Sequence, residues 1–292
     1  MIMKKTFGYY PYPLEAKEGN ISIETLPGLK EKTDQVYCQG LLIENDWAST
    51  SSYIRAGVFH LPHTHVIKCT EKISEEQLDF YVWILSFFVG MRLTTDDYGF
   101  VGSATLKPNG FTDFVFTGQP YSAVITLTQE FLERYDEKNK QVVMKRVRAI
   151  LHALYLGRRK NQLQYEQFIY FYIAIDACYR LVKDRERVKY PKSITRINHN
   201  QRVSWLCDRL CMTPPNWHED ISEERNAIFH EAMYAGAPLG YKVTENLDLP
   251  REMAQFVCRI LVAILIGKER AKDNHYVQSP VNDHHVYGLS LK

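Results

Sequence analysis

The spacing of apolar residues changes part-way along this chain of 292 residues. Up to about residue 125, short apolar segments alternate with clusters of Gly, Pro, Asn and Asp, which is typical of strands and turns. From Thr128 onward, apolar residues recur at intervals of three and four, the period of a helix with one buried face. We therefore predict an α+β protein with a mixed α/β region at 1–125, an all-α bundle at 126–275 and a tail at 276–292.

Local signals predict individual elements in the first region. Residues 21–24 and 39–43 fit strands better than helices. Ser74 is followed by Gln77 three positions later and by an apolar run that starts at Phe80. These signals predict a helix that begins at Ser74 and ends near Met91.

The second region is expected to consist of helices joined by polar loops. The predicted helices lie at about 128–157, 162–183, 201–212, 220–235 and 250–267. The helix at 162–183 is apolar on nearly every side, so we expect it at the centre of the bundle. Asp176 lies within this helix, and a buried carboxylate needs a partner. Arg225, His230 and a tyrosine hydroxyl are the partners that we consider.

Composition excludes several classes of protein. An apolar fraction of 45% and an aromatic fraction of 13% exclude a disordered chain. No apolar run reaches the roughly 20 residues that a bilayer span needs, and the first residues contain no secretion signal. The six cysteines include no Cys-x-x-Cys pair, so buried packing is their expected role. We expect a soluble cytoplasmic protein without membrane attachment.

Positive charge is concentrated in one segment. Residues 140–213 contain sixteen Lys or Arg and five Asp or Glu, whereas the whole chain has a net charge of only +2. This segregation is expected of a surface that binds nucleic acid, although a solvated helical face has the same composition. Arg158, Arg159 and Lys160 are the candidates for contacts with RNA phosphates.

One predicted helix, between Asp220 and Gly236, combines groups suited to RNA cleavage. His230 can transfer a proton near neutral pH. Arg225 can bind a phosphate through two parallel hydrogen bonds and stabilise charge on a phosphorane. Asn226 can orient a phosphate oxygen or a hydroxyl. We name these three residues, supported by Asp176, as candidate catalytic residues.

The Arg-x4-His arrangement with Asn after the Arg resembles the HEPN domain, and residues 165–181 resemble the opening helix of its Apea-like members. The resemblance covers roughly residues 160–270. It implies a HEPN-like homodimer in which Arg225, Asn226 and His230 of both copies face one cleft. It further implies metal-independent endoribonuclease activity without a cofactor, in a toxin or antiviral defence setting. Ala232 stands where members silenced by nucleotide transfer carry Tyr, so that regulation is not expected.

Two other functions stay open. The same helices would also suit a non-catalytic module that binds RNA or dimerises as a scaffold within a larger complex. His60, His63 and His65, with Cys69 nearby, suggest a metal-dependent hydrolase because imidazoles bind zinc, but no further ligand stands at a suitable spacing. The first 125 residues are expected to sense a trigger or to bind a partner such as an antitoxin.

Overall fold

The chain in this computed structural model divides into two compact units, Met1–Tyr135 and Asp136–Lys292. Helices and strands are both present, with strands concentrated in the first unit, so the predicted α+β class is confirmed. The boundary between the units lies just after the end of α3 (Ser122–Glu133). The predicted boundary at 125–126 would fall inside this helix. The structure describes residues 2–38, 41–44, 46–50, 58–97, 99–108, 111–159, 162–189, 197–241, 248–281 and 286–291.

Short strands and a few helices make up the described part of the first unit. They are β1 (Met3–Gly8), β2 (Ala16–Glu18), β3 (Ile21–Thr25), α1 (Leu29–Val36), β4 (Leu42–Glu44), β5 (Trp47–Ser49), β6 (Val58–Phe59), β7 (His63–Cys69), α2 (Glu75–Phe88), β8 (Phe100–Val101), β9 (Ser103–Thr105), β10 (Phe114–Phe116) and α3. An antiparallel sheet has the order β1-β7-β3-β2, and a smaller one has the order β4-β5-β9. Ile21 and Ile23 of β3 both point into the core, as the alternation of a half-buried strand requires.

Two local predictions for the first unit, the strand at 21–24 and the start of the helix at Ser74, are confirmed. Residues 21–24 lie in β3, and residues 39 and 40 of the other predicted strand lie outside the described residues. The hydroxyl of Ser74 accepts a hydrogen bond from the Gln77 amide at 3.2 Å, and Gln77 Oε1 accepts one from the Ser74 amide at 3.0 Å. This reciprocal cap starts α2 at the predicted place. The helix ends at Phe88 rather than near Met91.

Helices dominate the second unit. Its described α-helices and strands are α4 (Glu137–Gly157), α5 (Gln164–Lys189), α6 (Arg202–Leu210), α7 (Ile221–Asn226), β11 (Met233–Tyr234), β12 (Ala237–Pro238), α8 (Leu249–Ile266), α9 (Lys268–Asp273) and β13 (Tyr287–Leu289). α5 packs against α4, α6 and α8, which confirms its central position. Residues 253–266 of α8 are all buried. In the part of the chain that the structure describes, no helix combines the length and apolar content needed to cross a bilayer.

The single helix predicted at 128–157 is wrong, because two helices occupy this stretch. α3 ends at Glu133, and the carboxylate of Asp136 caps α4 by accepting a hydrogen bond from the Asn139 amide at 2.9 Å. Thr128 does not begin a helix as the predicted bounds require. It lies inside α3, where its hydroxyl donates to the Val124 carbonyl at 2.7 Å. No Pro or Gly stands between Leu132 and Val142, so the residues that usually interrupt a helix do not mark this break.

The long helix predicted between Asp220 and Gly236 is also wrong. α7 ends at Asn226, a π-helical turn follows at Ala227–Glu231, and the chain then forms the β11–β12 hairpin. Asp220 makes no side-chain capping bond. Tyr234 therefore lies on a strand, with its buried ring 5.9 Å from the ring of Phe168. Packing of this tyrosine on α5 overrides the helical spacing.

The first residues of the segment predicted as a tail, 276–292, pack into the second unit. Tyr276 and Val277 are buried. The guanidinium group of Arg259 on α8 donates to the carbonyl oxygens of Ser279 at 3.0 Å and Pro280 at 2.9 Å. This segment packs into the second unit because a buried guanidinium group needs acceptors. His284 and His285 lie outside the described residues.

Gly157 lies at the end of α4, where this helix meets α5. A Cβ at Gly157 would lie 2.5 Å from Cε1 of Phe171, whose ring is buried. We expect Gly157→Ala to lower the free energy of unfolding by roughly 1–3 kcal/mol because the ring cannot move aside freely. Urea denaturation measures this loss. In a double-mutant cycle, the loss of stability caused by Gly157→Ala should be smaller in the Phe171→Leu background than in the parent. If the losses of the two single variants simply add in the double variant, the contact between these residues is contradicted.

Candidate functional site

A groove on the surface of the second unit brings together charged, titratable and aromatic side chains. Its volume is 610 Å³, which is within the range of ligand sites. α4, α5, α7 and the short 3-10 turn His199–Gln201 all contribute to its walls. The polar side chains that line it are Arg146, Tyr172, Asp176, Arg180, His199 and Arg225.

α5 supplies one wall because its polar residues are spaced by four. Tyr172, Asp176 and Arg180 therefore lie in one stripe along the helix. Ile173 extends the same wall and is 50% exposed. Phe168 and other apolar residues of α5 face the core. The helix predicted to be apolar on nearly every side thus has one polar side. The spacing of Tyr172, Asp176 and Arg180 by four residues is the sequence signal that could have located the groove.

Asp176 forms an ion pair with Arg202 at the start of α6. The Arg202 side chain is only 12% exposed, and its guanidinium group lies 4.9 Å from the centre of the Tyr179 ring. Among the described residues, no hydrogen bond or ion pair joins Asp176 to Arg225, to His230 or to a tyrosine hydroxyl. The partner of the carboxylate is therefore a residue that the sequence analysis did not consider.

His199 is a second residue that the sequence analysis missed. Its Nδ1 lies 2.7 Å from Tyr172 Oη, and the two rings stack with an interplanar angle of 13°. Partial burial and then the positive charge of Arg202 lower the pKa of His199, whereas Asp176 acts in the opposite direction. Burial, followed by the charge of Asp176, raises the pKa of Tyr172. The tyrosine therefore stays protonated, and the lowered pKa of His199 favours its neutral form.

Arg225 is the predicted catalytic residue that lines the groove together with Asp176. It is half-buried, and its Nη1 donates to Asn226 Oδ1 at 2.8 Å. The guanidinium group also lies 4.9 Å from the centre of the Phe229 ring, which is 55% exposed. These two contacts hold the cation at the edge of the groove.

Asn226 and His230 are exposed and do not line the groove. His230 follows Phe229 directly on the π-helical turn, so its backbone lies beside the groove although its side chain is not part of the wall. A single chain thus brings Arg225 and Asp176 into one groove and leaves Asn226 and His230 at its margin.

The predicted RNA-binding residues lie away from the groove along α4. Arg158 and Arg159 stand at the C-terminal end of this helix and do not line the groove. Arg158 follows Arg146, which does line it, by about 18 Å along the helix axis. Lys160 lies outside the described residues.

The histidines proposed as metal ligands pack within the first unit. His63 Nδ1 lies 2.9 Å from Thr6 Oγ1, and His65 Nδ1 lies 2.8 Å from Thr64 Oγ1. Burial lowers the pKa of His65 to about 4, and its ring stacks on that of Phe7. In the part of the first unit that is described, no group of three His, Cys, Asp or Glu residues is arranged to hold a metal ion.

The groove therefore combines guanidinium groups, which bind phosphate, with an imidazole, which can accept a proton. Comparisons of the chain with protein-family models, with curated proteins and with solved structures found no match.

Proposed function

We propose that this protein is a metal-independent endoribonuclease of HEPN type whose groove binds the sugar–phosphate backbone of RNA. The observation that carries the proposal is the charge of the groove. Arg146 is paired with Asp184, and Arg202 is paired with Asp176. Among the described residues, Arg180 and Arg225 have no carboxylate partner, so two guanidinium groups remain for an anionic ligand such as a phosphodiester.

In the proposed reaction, the 2′-hydroxyl of one nucleotide attacks the adjacent phosphorus and the 5′-oxygen leaves. Arg225 stabilises the charge that develops on the phosphorane, and Asn226 orients the phosphate. His230 transfers a proton. Its exposed side chain is accessible to a long, flexible substrate.

We further propose a homodimer in which both copies of the Arg225–His230 element face one cleft. Of the apolar side chains that line the groove, Ile173 and Phe229 are at least half exposed, at 50% and 55%. A contact between copies would remove this apolar surface from water. In such a dimer, His230 of one chain could complete the site at the groove of the other.

The proposed biological setting is a cytoplasmic toxin or antiviral defence effector. The first unit has its own hydrophobic core, to which the β1-β7-β3-β2 sheet, α2 and the segments between them contribute. A unit with its own core suits the role of sensing a trigger or of binding an antitoxin or another partner. RNA is the proposed substrate of the second unit.

A second candidate is a non-catalytic module that binds RNA or assembles a complex. Two observations favour it. Arg225 already contacts Asn226 and Phe229, and the His230 side chain does not line the groove of its own chain. Such a module would bind RNA without cleaving it.

Cleavage under chelation is the test of the proposed function. We expect purified protein to cleave RNA at the same rate in EDTA and in Mg²⁺, because His and Arg side chains supply all the groups that the reaction requires. The products should carry 2′,3′-cyclic phosphate and 5′-hydroxyl ends, identified by end-group analysis. Loss of cleavage in EDTA would contradict the mechanism. Binding of intact RNA without cleavage would favour the non-catalytic module.

A further inference from the structure

The geometry of His199 suggests more than a packing role. The 3-10 turn that carries it is closed by a hydrogen bond from the Asn198 amide to Gln201 Oε1 at 3.4 Å. Tyr172 contacts the imidazole through ring stacking and through the 2.7 Å hydrogen bond that joins its Oη to Nδ1. Because Nδ1 is engaged, Nε2 is the ring atom that remains for a ligand in the groove. Two elements of the fold thus hold one nitrogen of an accessible imidazole in place.

The charged surroundings of His199 favour a base rather than an acid. Arg180 on α5, Arg202 on α6 and Arg225 on α7 all act on it with positive charge, and Asp176 opposes them. Partial burial is the largest cause of its lowered pKa, followed by the charge of Arg202. An imidazole whose pKa lies below the ordinary value of about 6.5 is neutral at pH 7 and can accept a proton.

We propose that His199 is a second catalytic residue of this groove, the general base that takes the proton from the attacking 2′-hydroxyl, and that Tyr172 is its positioning residue. This inference rests on the proposed ribonuclease function. In this step neutral His199 carries its proton on Nδ1 and donates it in the hydrogen bond to Tyr172 Oη. Nε2 therefore accepts the proton of the 2′-hydroxyl as the 2′-oxygen bonds to phosphorus. The bond from phosphorus to the 5′-oxygen breaks, and that oxygen receives a proton from protonated His230. His199 then releases its proton to water and His230 takes one up, which restores both residues.

The proposed roles of His199 as the general base and His230 as the general acid follow from their positions in the structure. A general base must be within hydrogen-bonding reach of the hydroxyl that it deprotonates, and His199 lines the same groove as Arg225. His230, which is exposed at the margin, is suited to reach the leaving oxygen from the other side of the phosphate.

Substitution of His199 and chemical rescue test the assignment. We expect His199→Ala to lower kcat for RNA cleavage in EDTA by about a hundredfold with little change in KM. A hundredfold decrease is at the low end of the range for loss of a general base. Added imidazole should restore part of the rate because the open groove admits a free base. Tyr172→Phe keeps the stacked ring and loses the hydroxyl, and we expect about a tenfold lower kcat from the poorer orientation.

The pH profile distinguishes a catalytic from a structural role. The rate of the parent should fall as pH decreases through the pKa of His199, below the ordinary value of about 6.5. This limb should disappear in His199→Ala. His199→Gln can still hydrogen bond to Tyr172 but cannot take up a proton, so we expect it to be as slow as His199→Ala. His275→Ala is the matched control, because His275 is exposed in the same unit and does not line the groove.

Each outcome is decisive. If the parent cleaves and His199→Ala matches its rate and pH profile, the role of His199 is refuted and the proposed function stands. Full activity of His199→Gln would also refute it, because only a structural role would be preserved by the amide. If the parent does not cleave RNA under chelation, the proposed function fails, and the assignment of His199 fails with it.

Discussion

His230→Ala is expected to lower the rate of RNA cleavage by about 10²–10⁴-fold, the usual effect of removing a residue that transfers a proton in the transition state. In the proposed reaction, the 5′-oxygen would then leave without a proton from the protein. The fold should persist because the His230 side chain is exposed and its loss leaves no cavity. Single-turnover cleavage in EDTA measures the rate, and thermal unfolding checks the fold.

Two control variants test whether the loss of cleavage is specific. They exclude a contaminating nuclease and show whether a positive charge at residue 225 is sufficient for cleavage. His275→Ala removes an exposed histidine of the same unit and should cleave like the parent. Arg225→Lys retains the positive charge but loses the planar fork that grips phosphate, so it should also be slow. If His230→Ala cleaves as fast as the parent, the catalytic assignment of His230 is wrong.

Arg259→Ala is expected to cause the largest loss of stability, about 3–5 kcal/mol in the free energy of unfolding. Arg259 is 1% exposed and donates to the carbonyl oxygens of Gln255, Ser279 and Pro280. Its guanidinium group also lies 5.0 Å from the centre of the Tyr276 ring. The substitution would leave one buried and two partly buried carbonyl groups without these donors and would open a cavity beside α8.

Urea denaturation of the whole chain measures this loss. Lys145→Ala serves as the control because Lys145 is exposed on α4, and it should change the free energy of unfolding by less than about 0.5 kcal/mol. Arg259→Lys should be intermediate because an ammonium group cannot reproduce the fork. A loss below about 1 kcal/mol in Arg259→Ala would show that these hydrogen bonds contribute little net stability.

Local signals predicted several elements well because their causes lie close together in the chain. Ser74 and Gln77 cap α2 through reciprocal bonds over three residues. Pro250 stands in the first turn of α8, where its missing N–H group costs nothing. By contrast, the break at Asp136 was missed because no Pro or Gly marks it. The end of α7 at Asn226 was missed because apolar residues follow it directly.

The candidate site could be predicted only in part. Arg225 and Asp176 were identified from residue type and position, and both line the groove. His199 was missed because its role depends on Tyr172, which lies 27 residues earlier across a loop. The pairing of Asp176 with Arg202 likewise depends on how α5 packs against α6.

By itself, the sequence determined the α+β class, the central position of the helix predicted at 162–183 and the concentration of positive charge, because these depend on composition and on periods of a few residues. Only the tertiary structure decided which charges are neutralised and which face the groove, because those pairings join residues far apart in the chain. It also placed Tyr234 on a strand. Burial of that ring against Phe168 outweighs the helical spacing of the segment.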